Sequence, residues 1–273
     1  MTLRLDPGCF YGKMLKNVRG SRFMLSESVY RPGSSLPRHS HLYPYFCIVL
    51  KGRFIENCSN KTSERTPSTA IFHPVGEDHS ERFGEQGARL FCFEIEPAWL
   101  EQLRECEVRL SRPATYNGGS LLWLFARLYA EFRNIDSVSP LAMEGLALEV
   151  FAQASRGCQA GPAIKPPQWL KQVHEMLHDR FNEQLAMDEL ARSAGVHPGH
   201  LARTFRQFYR CTVGDYLRKL RVEFASRQLV ESDSSLACVG ASAGFSDQPH
   251  FSRTFKSLTG MTPAEYRGSF RRR

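Results

Sequence analysis

Two stretches of this chain repeat one another, and that constrains its fold more than any other feature. In LARSAGVHPGHLARTFRQFYRCTVGDY (residues 190–216) and VGASAGFSDQPHFSRTFKSLTGMTPAEY (residues 239–266), Ser193, Ala194 and Gly195 match Ser242, Ala243 and Gly244 at an offset of 49. After one inserted residue the offset becomes 50, and His200, Arg203, Thr204, Phe205, Thr212 and Tyr216 match His250, Arg253, Thr254, Phe255, Thr262 and Tyr266. Arg206/Lys256 and Asp215/Glu265 keep their charge. So many matches in so short a window mean that one supersecondary unit occurs twice.

Each copy reads as a short helix, a turn carrying Gly195 or Gly244, and a second helix, which is the pattern of a helix-turn-helix. The units span about 186–210 and 235–259. In the second helices, Leu201, Phe205 and Phe208, or Phe251, Phe255 and Leu258, recur at i, i+4, i+7 and make the core face. The other face carries Gly199, His200, Ala202, Arg203, Arg206 and Arg210 in the first copy, and Gln248, Pro249, His250, Ser252, Arg253 and Lys256 in the second. Small and cationic groups on an exposed helix face suit a major groove, where arginine reads guanine with a bidentate fork. The segment from Val213 to Val230 can form one helix of about 27 Å. It would hold two readers about one DNA turn, roughly 34 Å, apart.

The rest of the chain differs in character. Its 273 residues suggest two domains. The first hundred residues break into short segments rich in β-branched and aromatic residues (RFMLSESVY, YFCIVLKG, RFIENC, TAIFHP, ARLFCFEIE), separated by Gly, Pro and Ser, as in an antiparallel sandwich or barrel. From Pro97 the periodicity is helical, and SLLWLFARLYAEFRN with SPLAMEGLALEVFAQAS reads as a helical hairpin. Its apolar stripes, Leu121, Leu124, Phe125 and Leu128 on one side and Leu141, Leu148 and Phe151 on the other, suggest a homodimer interface within Leu121–Ser155. RGCQAGPAIKPP (156–167) is the linker, giving domains of 1–160 and 165–273. The net charge of +8 is uneven: residues 165–273 hold 17 Lys+Arg against 11 Asp+Glu, whereas residues 1–164 hold 19 against 17. A basic C-terminal half suits a polyanion partner. The eight cysteines include no C-x-x-C pair and read as reduced thiols. No apolar run approaches the roughly 20 residues of a membrane helix. The N-terminus has no secretion signal, so a cytoplasmic protein without a membrane partner is expected.

The stretches LARSAGVHPGHLARTF, DYLRKLRVEFASRQL and GFSDQPHFSRTFKSLTGMTPAEYR together resemble the AraC/XylS family of bacterial transcription regulators, over about Gln168 to Arg267. The family's characteristic residues fall on Leu190, Ala191, Gly195, Leu201, Phe205, Tyr216, Arg221, Ala225, Gly244, Phe245, Phe251, Arg253, Phe255, Lys256, Gly260, Pro263, Tyr266 and Arg267. Two departures stand out. His197 replaces the usual Ser/Thr cap of the first reader, at an expected loss of about 1 kcal/mol. Arg210 stands where the second copy has Gly260, straining the turn while adding a cation for phosphate. The resemblance implies an all-α DNA-binding domain, double-stranded DNA and RNA polymerase as partners, a small-molecule effector, and no catalysis.

In the N-terminal half, His39-x-His41, Tyr45 three residues after the short gap, Gly52, and later Pro74-x-Gly76-x-x-His79 resemble the two motifs of the cupin barrel. His39, His41 and His79 fall at metal-ligand positions. Tyr45 takes the place of the ligand Glu, Ser68 that of a glycine, and Phe83 that of an Asn. Two readings follow: a divalent metal (Zn, Fe or Ni) on three imidazoles, or a metal-free effector pocket contacted by His39, His41, Tyr45 and His79. His73, His174 and His178 are expected to be surface or helix-flank residues. A metal-dependent cupin enzyme with a helical appendage is the alternative to a regulator. The missing Glu and the duplicated readers argue against it.

Overall fold

The computed structural model describes residues 3–271 apart from 60, 68, 107, 109 and 159–165. Ser68 and most of the 156–167 linker thus lie outside the described residues. The chain divides into two compact units, residues 1–159 with 267–273, and residues 160–266. The first unit runs β1 (Leu3–Leu5), β2 (Lys13–Arg19), β3 (Phe23–Tyr30), β4 (Ser35–His41), β5 (Tyr45–Cys58), β6 (Lys61–Arg65), β7 (Thr69–His73), β8 (His79–Ile95), α1 (Pro97–Arg104), β9 (Ala114–Asn117), α2 (Gly119–Arg133) and α3 (Ser139–Cys158). The second holds α4 (Gln168–Asp179), α5 (Met187–Ser193), α6 (Pro198–Tyr209), α7 (Val213–Glu231), α8 (Leu236–Ser242), α9 (Gln248–Thr259) and most of α10 (Pro263–Arg271).

The sheet is organised by two long strands. β8 pairs with β4 near its start, with β3 over its second half, and with β5 along most of its length. The segments YFCIVLKG and RFIENC, which read as two strands, are one strand, β5, with Gly52 inside it. Gly52 has φ +78°, and a Cβ there would lie 2.0 Å from the Gly87 carbonyl oxygen on β8. Only glycine permits the backbones to close at this bend. The chain also returns to the sheet after α1, where β9 pairs with β7 in a stretch expected to be helical.

The FCIVL run lacks alternation because both faces of β5 are buried. Tyr45, Cys47 and Val49 join Tyr30, Ile71, Leu90 and Cys92 inside the barrel. Phe46 faces the other way and packs on Phe72, Phe93 and Phe125 of α2. Phe93 likewise meets Phe151 of α3, and Phe91 meets Tyr129 and Phe132. This corrects the expected dimer stripes. Leu121, Phe125, Leu128 and Phe151 belong to the core of their own unit and Leu124 is half-buried, whereas Leu141 (77% exposed) and Leu148 (44%) lie open.

Among the described residues of the first unit, Glu27, Glu56 and Glu94 are buried carboxylates, Glu56 beside Arg65 and His73. Glu27 on β3 meets Arg89, accepts from the Tyr129 hydroxyl at 3.0 Å, and pairs with Arg133 at 3.1 Å. Glu94 on β8 accepts the Gly8 amide at 2.9 Å, while its other oxygen has no partner. Burial pushes Glu94 up to about 7. A carboxyl whose folded pKa is raised stabilises fully below its unfolded value and loses that contribution as pH rises through the folded one. Glu94→Gln should therefore match the parent near pH 4 and exceed it by about 3 kcal/mol at pH 8. Urea unfolding at both pH values checks this, and equal stabilities at pH 8 would contradict it.

In the second unit Leu170, Val173, Leu177, Leu190, Ala191, Leu201 and Phe205 are buried together, whereas Phe208 and Leu258, expected on the readers' core faces, are half-buried. Each reader is followed by a cap of the same design. The Thr212 hydroxyl accepts the Asp215 amide at 3.1 Å to start α7, and the Thr262 hydroxyl accepts the Glu265 amide at 3.2 Å to start α10. The matched Thr and acidic positions of the repeat thus both begin helices. Arg221 donates to the carbonyls of Phe181 (2.8 Å) and Glu183 (2.7 Å), tying α7 to the turn after α4. Both turn glycines have positive φ, +66° at Gly195 and +84° at Gly244, as expected, but their surroundings differ. A Cβ on Gly195 meets nothing within 4 Å, whereas one on Gly244 would lie 2.4 Å from the Asn182 carbonyl oxygen. Gly195→Ala should cost about 1 kcal/mol and Gly244→Ala about 3, the excess being backbone displacement. Equal losses in chemical unfolding would overturn the steric argument.

Candidate nucleic-acid interface and histidine cluster

The readers α6 and α9 are both 12 residues long with Pro at N1 or N2, and each buries a pair of residues 50 positions from its counterpart, Leu201 and Phe205 or Phe251 and Phe255. On the open side of α6 lie Gly199, His200, Ala202, Arg203 and Arg206, all exposed. On α9 the same side carries exposed Gln248, Pro249, Arg253 and Lys256, with His250 and Ser252 half-buried. The His250 ring meets Phe245 edge-on, and the His200 ring lies against Trp169. Gln207 and Ser257 complete the two stripes one turn after Arg203 and Arg253 and are exposed. The i, i+4 spacing that marks the arginines also points to them. Arg203 Nε donates to the Gly199 carbonyl at 3.3 Å, so its guanidinium folds back over the reader's N-terminal turn. The helix α7 between the readers has 19 residues and is about 28 Å long.

The cap of α6 is substituted rather than lost. His197 Nδ1 accepts the Gly199 amide at 3.1 Å, as Asp247 accepts the His250 amide at 2.6 Å on α9. Arg210 follows α6 as expected, in the left-handed conformation at φ 58°, where Gly260 has φ 77°. Arg210→Gly should raise stability by about 1 kcal/mol. The same variant should weaken DNA affinity and flatten its salt dependence by about one charge. Unchanged stability would show that the turn tolerates a Cβ. His174 and His178 are not idle flank residues, since their Nε2 atoms lie 2.7 and 2.9 Å from the Tyr216 hydroxyl.

In the first unit, β4 and β8 bring His39 opposite His79, and His41 shares the face of His39. One ligand atom from each of the three buried imidazoles lies within 4.8 Å of the other two. The Pro37 carbonyl lies 2.8 Å from His39 Nδ1, and the Glu77 carbonyl 3.0 Å from His79 Nδ1. Each Nδ1 therefore carries the hydrogen, leaving Nε2 with its lone pair. The Tyr45 hydroxyl donates to that lone pair on His79 at 3.0 Å. Burial holds all three imidazoles below their usual range, reinforced by His39 at His41 (about 3) and by His73 at His79 (about 2). They are neutral electron-pair donors at pH 7.

Two members of this cluster were not legible from the motifs. Glu81 follows His79 by two residues on the same strand face and lies 3.5 Å from His79 Nε2 and 4.0 Å from His39 Nδ1. It brings a carboxyl group beside two of the three imidazoles, and the His-x-Glu spacing on β8 was the signal. Burial, then the nearby Glu56, pushes it up to about 8. His73, expected at the surface, is buried: it pairs with Glu56 at 3.1 Å and stacks on Tyr45. Burial alone would raise Glu56, but the charges and hydrogen bonds of His73 and Arg65 outweigh it and hold Glu56 at about 2. Buried His41 Nδ1 and Glu81 Oε2 have no partner, so orphaned donor atoms point to a bound group. Phe10, Tyr30, Leu36 and Cys47 line a small cavity of about 10 Å³ beside the cluster, room for about one water.

A β domain with a buried polar cluster inside it and a helical domain with paired helix-turn-helix readers define a two-part transcription regulator. Residues 27–151 match the AraC-like ligand binding domain, and residues 190–269 match a helix-turn-helix domain. The chain is 40% identical over 86 residues to the probable transcription factor PqrA of Proteus vulgaris, covering 32% of this chain and 70% of that one. It is 29% identical over 100 residues to the bifunctional transcriptional activator/DNA repair enzyme AdaA of Bacillus subtilis (strain 168), covering 37% of this chain and 47% of that protein. Among solved structures, unsaturated fatty acid bound ToxT from Vibrio cholerae is similar at 11% identity and a TM-score of 0.40, over 92% of this chain and 97% of that one. The chain belongs to the AraC/XylS family of transcription regulators. Among the described residues no helix is long and apolar enough to cross a membrane.

Proposed function

We propose that this protein is a cytoplasmic, non-enzymatic regulator that binds specific double-stranded DNA through α6 and α9 and is controlled by a small molecule held in the β domain. The observation that carries the reading is the duplicated basic stripe, Arg203 and Arg206 on α6 and Arg253 and Lys256 on α9, exposed on helices whose opposite faces bury Leu201 and Phe205 or Phe251 and Phe255. Arg210 adds a cation at the end of the first stripe, and Gln248, Pro249 and Ser252 line the start of the second. RNA polymerase is the partner that the family membership suggests. Binding of the full chain to a selected site and to random DNA, across a salt series, tests the proposal. Both affinities should fall steeply with salt as counterions return to phosphate, and the selected site should stay tighter by about a thousandfold or more. Equal affinities at every salt concentration would remove the specificity claim.

Two finer elements belong to the same reading. Leu141, Gly145, Leu148 and Ala152 recur at i, i+4, i+7, i+11 along α3, and the first three are exposed. This stripe would pack against a second copy, with Leu141→Glu/Leu148→Glu turning a sedimenting dimer into a monomer. A parent that is monomeric at tens of micromolar would reject it. The histidine cluster favours a divalent metal: His39, His41 and His79 would donate nitrogen, Glu81 would donate oxygen, and the carbonyls of Pro37 and Glu77 orient two of the rings. A bound ion would supply positive charge to a site that otherwise holds neutral rings. Elemental analysis of untagged protein should find near-stoichiometric metal that disappears in His39→Ala/His41→Ala. Metal-free parent protein would leave the cluster as an effector contact.

A further inference from the structure

The β domain has a second, partly open cavity of about 350 Å³ between β5, β6, β7 and the segment leading into β9. Its walls carry three cations, Lys61, Arg65 and Arg112, against one carboxylate, Glu56. Glu56 is already matched, because Arg65 donates to its Oε2 from Nε (3.0 Å) and Nη2 (2.8 Å). The third Arg65 nitrogen donates to Thr115 at 2.9 Å, which fixes the guanidinium in the wall. The side chains of Lys61 and Arg112 have no hydrogen bond or ion pair with any described residue, and both residues are exposed, bringing two positive charges to the open side of the cavity. Glu77, the other acid nearby, accepts from Cys58 and Ser59.

Two further features turn this charge into a selective site. His73 spends Nε2 on Glu56, while its Nδ1 is buried without a partner in the same wall. An orphaned buried nitrogen carries an uncompensated desolvation cost until something bonds it. Ile71, Pro113 and Ala114 supply an apolar wall that a bare inorganic ion would leave uncovered.

We propose that this cavity binds a small hydroxylated organic carboxylate, its charge held by Arg112 and Lys61, its body against Ile71 and Ala114, and its hydroxyl on His73 Nδ1. A hydroxyl both donates and accepts, so it meets that nitrogen in either protonation state. The proposal rests on the effector-controlled reading above and names the class of effector and its place, a cavity separate from the one beside His39 and His41.

Titration of the full chain, followed by histidine side-chain NMR with the His73 signal assigned from its loss in His73→Gln, tests it with three probes: 4-hydroxybenzoate, the uncharged 4-hydroxybenzyl alcohol, and inorganic phosphate. 4-Hydroxybenzoate should saturate the His73 shift in the millimolar range or below, with the alcohol and phosphate each weaker by about tenfold, the equivalent of roughly 1.4 kcal/mol. Arg112→Ala/Lys61→Ala should weaken 4-hydroxybenzoate by about thirtyfold or more while leaving DNA binding without ligand unchanged, and Arg112→Lys should recover part of the loss. Equal binding of the alcohol, tighter binding of phosphate, indifference to the double substitution, or no His73 shift with any probe at about 20 mM would overturn the site. DNA affinity measured alongside separates the two readings. Saturation of His73 that leaves DNA affinity unchanged keeps the site and removes effector control from it. An effector found to act equally on the parent and on the double variant keeps effector control and overturns the site's role.

Discussion

Replacing Glu27 with alanine is expected to cost the β domain about 3–5 kcal/mol, the range for removing one partner of a buried ion pair. Glu27 is fully buried on β3, and it joins that strand to β8 through Arg89 and to α2 through Tyr129 and Arg133. Its removal leaves the Arg89 guanidinium, 14% exposed at the side chain, without its carboxylate. The loss therefore falls on the seam by which the helical hairpin holds the sheet. Glu27→Gln keeps the hydrogen-bond acceptor without the charge and should cost less, about 1–3 kcal/mol. Urea unfolding in a Trp169→Phe background, where Trp99 and Trp123 report on the β domain, measures both. A loss below about 1 kcal/mol for alanine would mean that the arginines find other partners or water.

Arg203→Ala with Arg253→Ala is expected to weaken specific DNA binding by about 2–6 kcal/mol, each arginine contributing 1–3. The two hold equivalent positions on α6 and α9, both exposed above a buried Phe two residues on. Each single substitution should relax base preference in its own half of the binding site and leave the other half unchanged. Neither should alter unfolding by more than about 0.5 kcal/mol, the usual limit at an exposed site. Selected binding sequences from each variant decide the matter: relaxation of the same base pairs by both substitutions would contradict a two-reader protein.

The helical domain was the most legible part, for a physical reason. Its helices are set by local contacts, and duplication allowed the core pairs Leu201/Phe205 and Phe251/Phe255 to be read against each other. The β domain depends on pairing between residues far apart, and there the sequence misled in specific places. β7 is TAIFH, with all five residues buried, so His73 carried no alternation to mark it as inward. Glu81 lies outside the usual order of the metal motif and becomes a neighbour of His39 only through the β4–β8 register. The stripe of α2 read as a face for a partner subunit, but Phe46, Phe91 and Phe93 on the outer face of the sheet cover it. His197 was read as a lost cap because the motif has Ser or Thr there, yet an imidazole nitrogen accepts an amide hydrogen as well.

The central claim is that two copies of one unit read two adjacent stretches of DNA. Selection of sequences bound by the full chain from random double-stranded DNA tests it most directly. Two short blocks of base preference should emerge, with centres about 10–10.5 base pairs apart, so that both readers enter the major groove on one face of the duplex. A single uninterrupted block, two blocks at variable spacing, or no enrichment over random DNA would contradict it.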